Sequence, residues 1–325
     1  MTGLASRVLL IGVEGTQLSL TEKNYIKKSQ PAGLVLFRRN LSPLFATVKN
    51  LVSEYTSLCS GFKPLVSIDQ EGGRVARFGF PFPNLGPAAN LAPGKEDGDA
   101  RVEIENYGYV VGACLKSLGI NTNFAPVCDI AINPQNQVIG DRAFGTDATS
   151  VSKRAGAYLQ GLQNAGVLGC LKHFPGQGAG YFDTHHQGDQ IDESYETLLE
   201  RELVPFKDLL PKCPMVMMSH SAYPQIDPLP ASISKVMIQK ILKGDLGFKG
   251  LVLSDDFNMK AIGQDEKAFG DAVLAAFAAG TDLLLVCQSF DHCAYAAQAV
   301  EREMKKSPAF AARIQDAAQR ISKVI

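Results

Sequence analysis

Three short stretches of the sequence hold side chains that could make and break covalent bonds. The first is Leu251-Val-Leu-Ser-Asp255-Asp256, an apolar run of strand length ending in two carboxylates. Side chains alternate along a strand, so Asp255 shares a face with Leu251 and Leu253 while Asp256 points the other way. One carboxylate can then enter a pocket as a nucleophile. Its neighbour can support the following segment, for example as a helix cap from Phe257 onward. The plainer reading is that both acids cap that helix.

The second stretch is Lys172-His-Phe-Pro-Gly-Gln-Gly-Ala-Gly-Tyr-Phe-Asp-Thr-His-His186. Gly176, Gly178 and Gly180 at alternate positions predict a pliable loop that folds over a ligand and withdraws. It leads to Asp183 and, two residues on, His185. A carboxylate beside an imidazole fixes its tautomer and favours its protonated form, which suits a proton donor. An isolated Asp-x-His is more often a surface turn. Placed behind Lys172 and His173 at the end of an apolar run, it points to an acid/base pair.

The third stretch, Val66-Ser-Ile-Asp69-Gln-Glu-Gly-Gly-Arg74-Val-Ala-Arg77, closes a strand on Asp69 and turns two arginines back toward it. Carboxylate and guanidinium groups make directed hydrogen bonds to vicinal hydroxyls, as a sugar site requires. The alternative is an Asp–Arg ion pair that braces the loop. Arg142, in Ile139-Gly-Asp-Arg-Ala-Phe-Gly145, is placed similarly behind another strand.

These residues need a frame that brings strand ends together. Apolar runs occur at Val8–Val13, Gly33–Phe37, Leu65–Asp69, Ile120–Val127, Val167–His173, Met215–His220, Leu251–Asp255 and Asp282–Cys287. Their near-continuous Val, Ile and Leu content suits strands covered on both faces. Helical patterns lie between them: Leu44–Ser60 behind Ser42-Pro43, Asp192–Leu210 ending at Pro211, Ser234–Lys243 before Gly244, and Ala268–Ala279 before Gly280. Phe78–Asp99, rich in Pro, Gly and Asn, reads as a long loop. Alternating strands and helices predict an α/β fold, a single (β/α)8 barrel, over an open doubly wound sheet. The expected organisation is one catalytic domain over residues 1–325 with C-terminal helices and no second domain. In such barrels polar residues at C-terminal strand ends face the active site. Here those ends carry Asp69, Asp129, Lys172, His173, His220, Asp255 and Asp256. Asp129, Glu71 and His220 read as structural, although His220 could line the pocket.

Composition narrows the class. The chain has 325 residues, 46% hydrophobic and 20% charged, with a formal net charge of -1. That balance, without runs of Lys or Arg, offers nothing to nucleic acid or an anionic membrane. Met1–Gly12 is too short an apolar segment for a secretory leader, and no stretch approaches the roughly 20 residues of a membrane helix. The seven cysteines are odd in number and never spaced C-x-x-C. They read as small buried apolar residues in a reducing compartment, neither bridges nor a zinc site, so the cytoplasm is expected.

Asp69-Gln-Glu-Gly-Gly-Arg-Val, Lys172-His-Phe-Pro-Gly with Asp183-Thr-His185, and Ser254-Asp-Asp256 followed by Met259 occur in that order. Together they resemble glycoside hydrolase family 3, specifically its short cytoplasmic β-N-acetylglucosaminidases of cell-wall recycling. The resemblance spans Gly33 to Cys287. It implies a retaining exo-enzyme that removes terminal N-acetylglucosamine from peptidoglycan (muropeptide-like) fragments and needs no cofactor and no metal. It further implies Asp255 as nucleophile and His185 as acid/base, oriented by Asp183. Asp69, Arg77, Arg142, Lys172 and His173 would form the substrate-binding set. The sequence departs from the family at Gln177, where histidine is usual, so altered loop contacts with retained chemistry are expected.

Other readings compete. A metal-dependent barrel hydrolase could use His173, His185, His220 and Asp255 as zinc ligands. Against it, no His-x-His lies on the first strand, and a glycine-rich loop suits a rigid cage poorly. A barrel that binds sugar without catalysis is a second possibility; a β-glucosidase or a glycoside phosphorylase is a third.

Overall fold

Eight parallel strands form the centre of the chain: β1 Leu9–Ile11, β2 Gly33–Leu36, β3 Leu65–Ile68, β4 Thr122–Asn123, β5 Leu171–Phe174, β6 Met215–Met218, β7 Leu251–Asp256 and β8 Leu283–Val286. The structure, a computed structural model, describes residues 2–181, 189–257 and 266–324. Each strand coincides with one of the eight apolar runs, β5 and β7 each continuing one residue past it. Hydrogen bonding proceeds from β4 through β3, β2, β1, β8, β7 and β6 to β5. Parallel bridges Thr122–Leu168 and Val127–Lys172 then join β5 back to β4 and close the ring. The fold is a (β/α)8 barrel.

The ladder at β4 is short for a chemical reason. The apolar run there contains Pro126, which has no N–H to donate. Pairing across that seam continues through Asn123 N to Leu168 O (2.9 Å) and Cys170 N to Ala125 O (2.9 Å).

Helices cover the outside. They include Leu20–Ser29, Phe45–Leu58, Asp97–Ser117, Ala148–Asn164, Glu266–Ala279 and Phe290–Lys306, with Pro308–Ile321 behind them. The first of these opens on a full capping box, Ser19 with Glu22. Leu9, Leu10, Ile11, Leu34, Leu36, Val252, Leu253, Leu283 and Leu284 are completely buried. Each such side chain contributes about 1.5–3 kcal/mol relative to exposure.

Three helix boundaries depart from the sequence pattern. Ser42 turns the chain by accepting Leu44 N, and the helix starts only at Phe45, with Leu44 at its cap position. The expected helix over Asp192–Leu210 is two helices, Tyr195–Glu200 and Leu203–Leu209, broken at Arg201, which leaves helical geometry. Val236–Asp245 is wound as a π-helix behind Ser234, whose hydroxyl accepts Met237 N at 3.0 Å.

Candidate active site

A short hairpin, Gln70–Gly72 against Val75–Ala76, follows β3 and sets three of the expected residues. Asn123, at the end of β4, pins it by accepting Gln70 N (3.0 Å) and donating to Gln70 O (2.9 Å). The Gln70 side chain in turn accepts Phe78 N at 3.0 Å. The turn needs glycine. Gly72 and Gly73 have φ of 119° and 57°, and a Cβ on Gly72 would lie 2.5 Å from Gly86 O. Asp69, Glu71 and Arg77 are thereby held on one side of the barrel mouth.

Lys172 rises from β5 between the two acids. Its Nζ lies 2.8 Å from Asp69 Oδ1 and 2.5 Å from Glu71 Oε1. Arg77 Nη2 donates to Asp69 Oδ2 at 2.9 Å. Arg142, on the single helical turn Gly140–Arg142, grips Glu71 with two bonds of 2.8 Å from Nε and Nη2. The same Nη2 stands 3.3 Å from His173 Nε2, while His173 Nδ1 lies 2.6 Å from Asp129 Oδ2. A guanidinium can only donate, so Nε2 accepts, and the ring hydrogen belongs on Nδ1 facing Asp129. Three cations and three carboxylates are joined in one network spanning β3, β4 and β5.

The electrostatics follow from this packing. Burial alone would raise the Asp69 carboxyl, but Lys172 and Arg77 hold it well below the usual carboxylate range. Burial likewise opposes ionisation of Glu71, yet Arg142 and Lys172 bring it down to about 2. Burial would lower Lys172, and Asp69 with Glu71 raise it instead. All of these groups are charged at neutral pH.

Thus Asp69, Arg77, Arg142, Lys172 and His173 come together, and Asp69–Arg77 is indeed an ion pair. Arg74 goes elsewhere, to Asp141 at 2.9 Å and to the carbonyls of Gln137 and Val138, bracing the loop behind β4. Glu71 and Asp129 read as merely structural in the sequence, but they tie the network together. One signal was available: residues two apart in extended backbone share a face, so Asp69 and Glu71 reach the same lysine.

Asp255, the next-to-last residue of β7, is half-buried, and its Oδ1 accepts the backbone N–H of Asp256 at 2.8 Å. In an eight-stranded ring β7 stands diametrically opposite β3. Asp256 is buried and accepts Cys287 N at 3.2 Å, tying β7 to the end of β8. The expected helix cap from Phe257 onward falls largely outside the described residues, as do Asp183, His185 and Met259.

The glycines before Asp183 differ from expectation. Gly176, Gly178 and Gly180 are buried and closely packed. Added Cβ atoms would meet Glu202 Cβ at 2.9 Å, Ile130 O at 1.6 Å and Asp189 Oδ2 at 2.2 Å, respectively. They provide close approach where the sequence suggested pliability. Gln177 is equally fixed: its N–H donates to Asp129 Oδ1 (2.7 Å), and its Nε2 to Ser219 Oγ (2.5 Å). The side chain that departs from the family histidine thus bonds Ser219, while the link to Asp129 is made by the backbone.

The zinc reading meets a specific obstacle. His173 is engaged at both ring nitrogens, and so is His220, at Ser232 Oγ (2.7 Å) and Asp256 O (3.3 Å). His220 packs edge-on against Phe257 and is 1% exposed, a satisfied structural histidine. Among the described residues no three His, Cys, Asp or Glu form a group that could hold a metal ion.

Residues 7–324 match the glycosyl hydrolase family 3 N-terminal domain. The chain belongs to glycoside hydrolase family 3. It is 34% identical to a beta-hexosaminidase of Idiomarina loihiensis over 86% of this chain and 83% of that one. A family 3 beta-N-acetylglucosaminidase from Paenibacillus superposes with a TM-score of 0.91 at 31% identity; the match covers 99% of this chain and 62% of that longer one. NagZ from Neisseria gonorrhoeae, solved with N-trifluoroacetyl-D-glucosamine, is 28% identical with a TM-score of 0.79, covering 98% of both chains. This family 3 chain is a glycoside hydrolase, and among its described residues no helix is long and apolar enough to cross a membrane.

Proposed function

We propose that this family 3 protein is a retaining exo-β-N-acetylglucosaminidase with Asp255 as its nucleophile. The observation that carries the reading is the placement of a half-buried carboxylate on β7 across the ring from the charged network on β3, β4 and β5. A sugar lying between them presents its anomeric carbon to Asp255. Its far hydroxyls reach Asp69, Arg77, Arg142, Lys172 and His173. Each of these groups is already oriented by a partner, so little ordering is left to the moment of binding.

An Asp255 oxygen attacks the anomeric carbon as the bond to the leaving oxygen breaks. His185, oriented by Asp183, gives its proton to that oxygen. It then takes a proton from water, whose oxygen attacks the same carbon and releases Asp255 with net retention. Residues 1–325 act as one catalytic domain on N-acetylglucosamine at the non-reducing end of muropeptide-like fragments in the cytoplasm. No metal or cofactor takes part.

The test compares aryl N-acetylglucosaminide and aryl glucoside, each with and without phosphate and after exhaustive chelation. Expected are preference for the N-acetylglucosaminide, free sugar as product, and a rate unaffected by chelator. A phosphate-dependent rate yielding sugar 1-phosphate, or loss of activity on chelation, would overturn the reading.

A further inference from the structure

We propose that Asp189 is a positioning residue for the acid/base step, because it joins the two arms that carry the segment containing His185. The inference rests on the assignment of His185 as acid/base. The outgoing arm is fastened to the loop behind β4. Asn133 N–H donates to Gly178 O (3.1 Å), Asn133 Nδ2 to Gly180 O (2.9 Å), and Asn136 Nδ2 to Gln177 O (2.7 Å). The returning arm is fastened to the segment behind β6, where Ala222 N–H donates to Asp189 O (2.9 Å) and Ile191 N–H to Ala222 O (2.9 Å).

Those supports come from opposite sides of β5, so neither alone fixes the separation of the arms. Asp189 reaches both. Its Oδ1 accepts Tyr181 N–H at 3.3 Å, on the outgoing arm, and its Oδ2 accepts the Ser221 hydroxyl at 3.3 Å, on the β6 side. Ser221 N–H in turn donates to Ser219 Oγ at 2.8 Å, the same oxygen that accepts Gln177 Nε2 at 2.5 Å. The belt runs back to Asp129 and His173 through Gln177 N–H. Asp189 is 3% exposed, and Gly180 approaches so closely that a Cβ there would lie 2.2 Å from its Oδ2. A carboxylate buried between the arms, with a glycine making room for it, sets where the acid/base segment starts and ends.

The experiment measures kcat/KM on a dinitrophenyl and a methylphenyl N-acetylglucosaminide, with melting temperature, for Asp189→Ala, Asp189→Asn, Gly180→Ala and His185→Ala. The leaving group that needs a proton should suffer about tenfold more than the one that does not in Asp189→Ala, since a displaced general acid loses part of its 10²–10⁴-fold contribution. Asp189→Asn keeps an oxygen for Tyr181 N–H and should recover most of the loss. Gly180→Ala, which leaves Asp189 intact but crowds it, should show the same selectivity and decides the matter if Asp189→Ala does not fold. Equal losses on both substrates in Asp189→Ala and Gly180→Ala, with His185→Ala still selective, would overturn the role of Asp189. Absence of selectivity in His185→Ala would instead remove the acid/base assignment itself.

Discussion

Replacing Glu71 by glutamine separates the support of the site from its chemistry. Glu71 is 6% exposed at its side chain and takes a 2.5 Å contact from Lys172 and two 2.8 Å bonds from Arg142. Glutamine keeps the shape and one acceptor oxygen but removes the charge that balances two buried cations. Removing one partner of a buried ion pair costs about 3–5 kcal/mol. With part of the hydrogen bonding retained, about 3 kcal/mol is expected, or roughly 4 °C in melting temperature for a chain of this size. Activity should fall as well, because Lys172 then leans on Asp69 alone. Calorimetry beside kcat/KM on an aryl N-acetylglucosaminide checks both. The double variant Glu71→Gln/Arg142→Met, which removes a charge of each sign, should regain part of the stability. A Glu71→Gln protein melting within about 1 °C of wild type would refute the claim that this network is held by charge.

Three further outcomes follow from the same contacts. The Glu71 carboxyl is held down to about 2 and Asp69 lower still, so the stability they contribute is complete above their unfolded value near 4 and lost as pH falls toward 2. Denaturation midpoints should therefore drop between about pH 5 and pH 2, less steeply in Glu71→Gln; an equal slope would contradict the coupling. Burial pushes the Cys213 and Cys293 thiols up to about 12, and Cys128, Cys170 and Cys287 are buried with them. Burial also raises Cys59, to about 11, and Cys114, so native protein at pH 8 should accept a thiol reagent slowly at these two half-buried residues and at the other five only on unfolding, counted by mass spectrometry. Gly178→Ala would set a Cβ 1.6 Å from Ile130 O, a backbone atom, so that arm must move. A lowered melting temperature with reduced turnover is expected; wild-type values for both would contradict the packing.

The barrel was legible because parallel strands covered on both faces read as unbroken apolar runs, and all eight such runs coincide with a strand. The site was legible to the extent that chemistry-bearing residues sit at the ends of those runs. What the pattern could not convey is distance. Nothing in the spacing of Glu71 and Arg142 told that they would form a two-bond pair, or that Lys172 would stand between Asp69 and Glu71. Glycine was misread for a related reason. Alternate glycines describe both a loose segment and one pressed against its neighbours, and only the carbonyl of Ile130 beside Gly178 distinguishes them. The break at Arg201 follows from Pro205, four residues on, which has no N–H for the Arg201 carbonyl and whose ring crowds it, so that Pro205 is tolerated only in the first turn of a new helix.

The most direct test asks where the sugar becomes attached. Incubation with a fluorinated N-acetylglucosaminyl donor that forms the glycosyl-enzyme quickly and releases it slowly, followed by digestion and mass spectrometry, should place one sugar on the peptide containing Leu251–Asp256, at Asp255. Asp255→Ala should remain folded, take no label and lose roughly three or more orders of magnitude in turnover. A label on any other residue, or wild-type turnover in Asp255→Ala, would contradict the account.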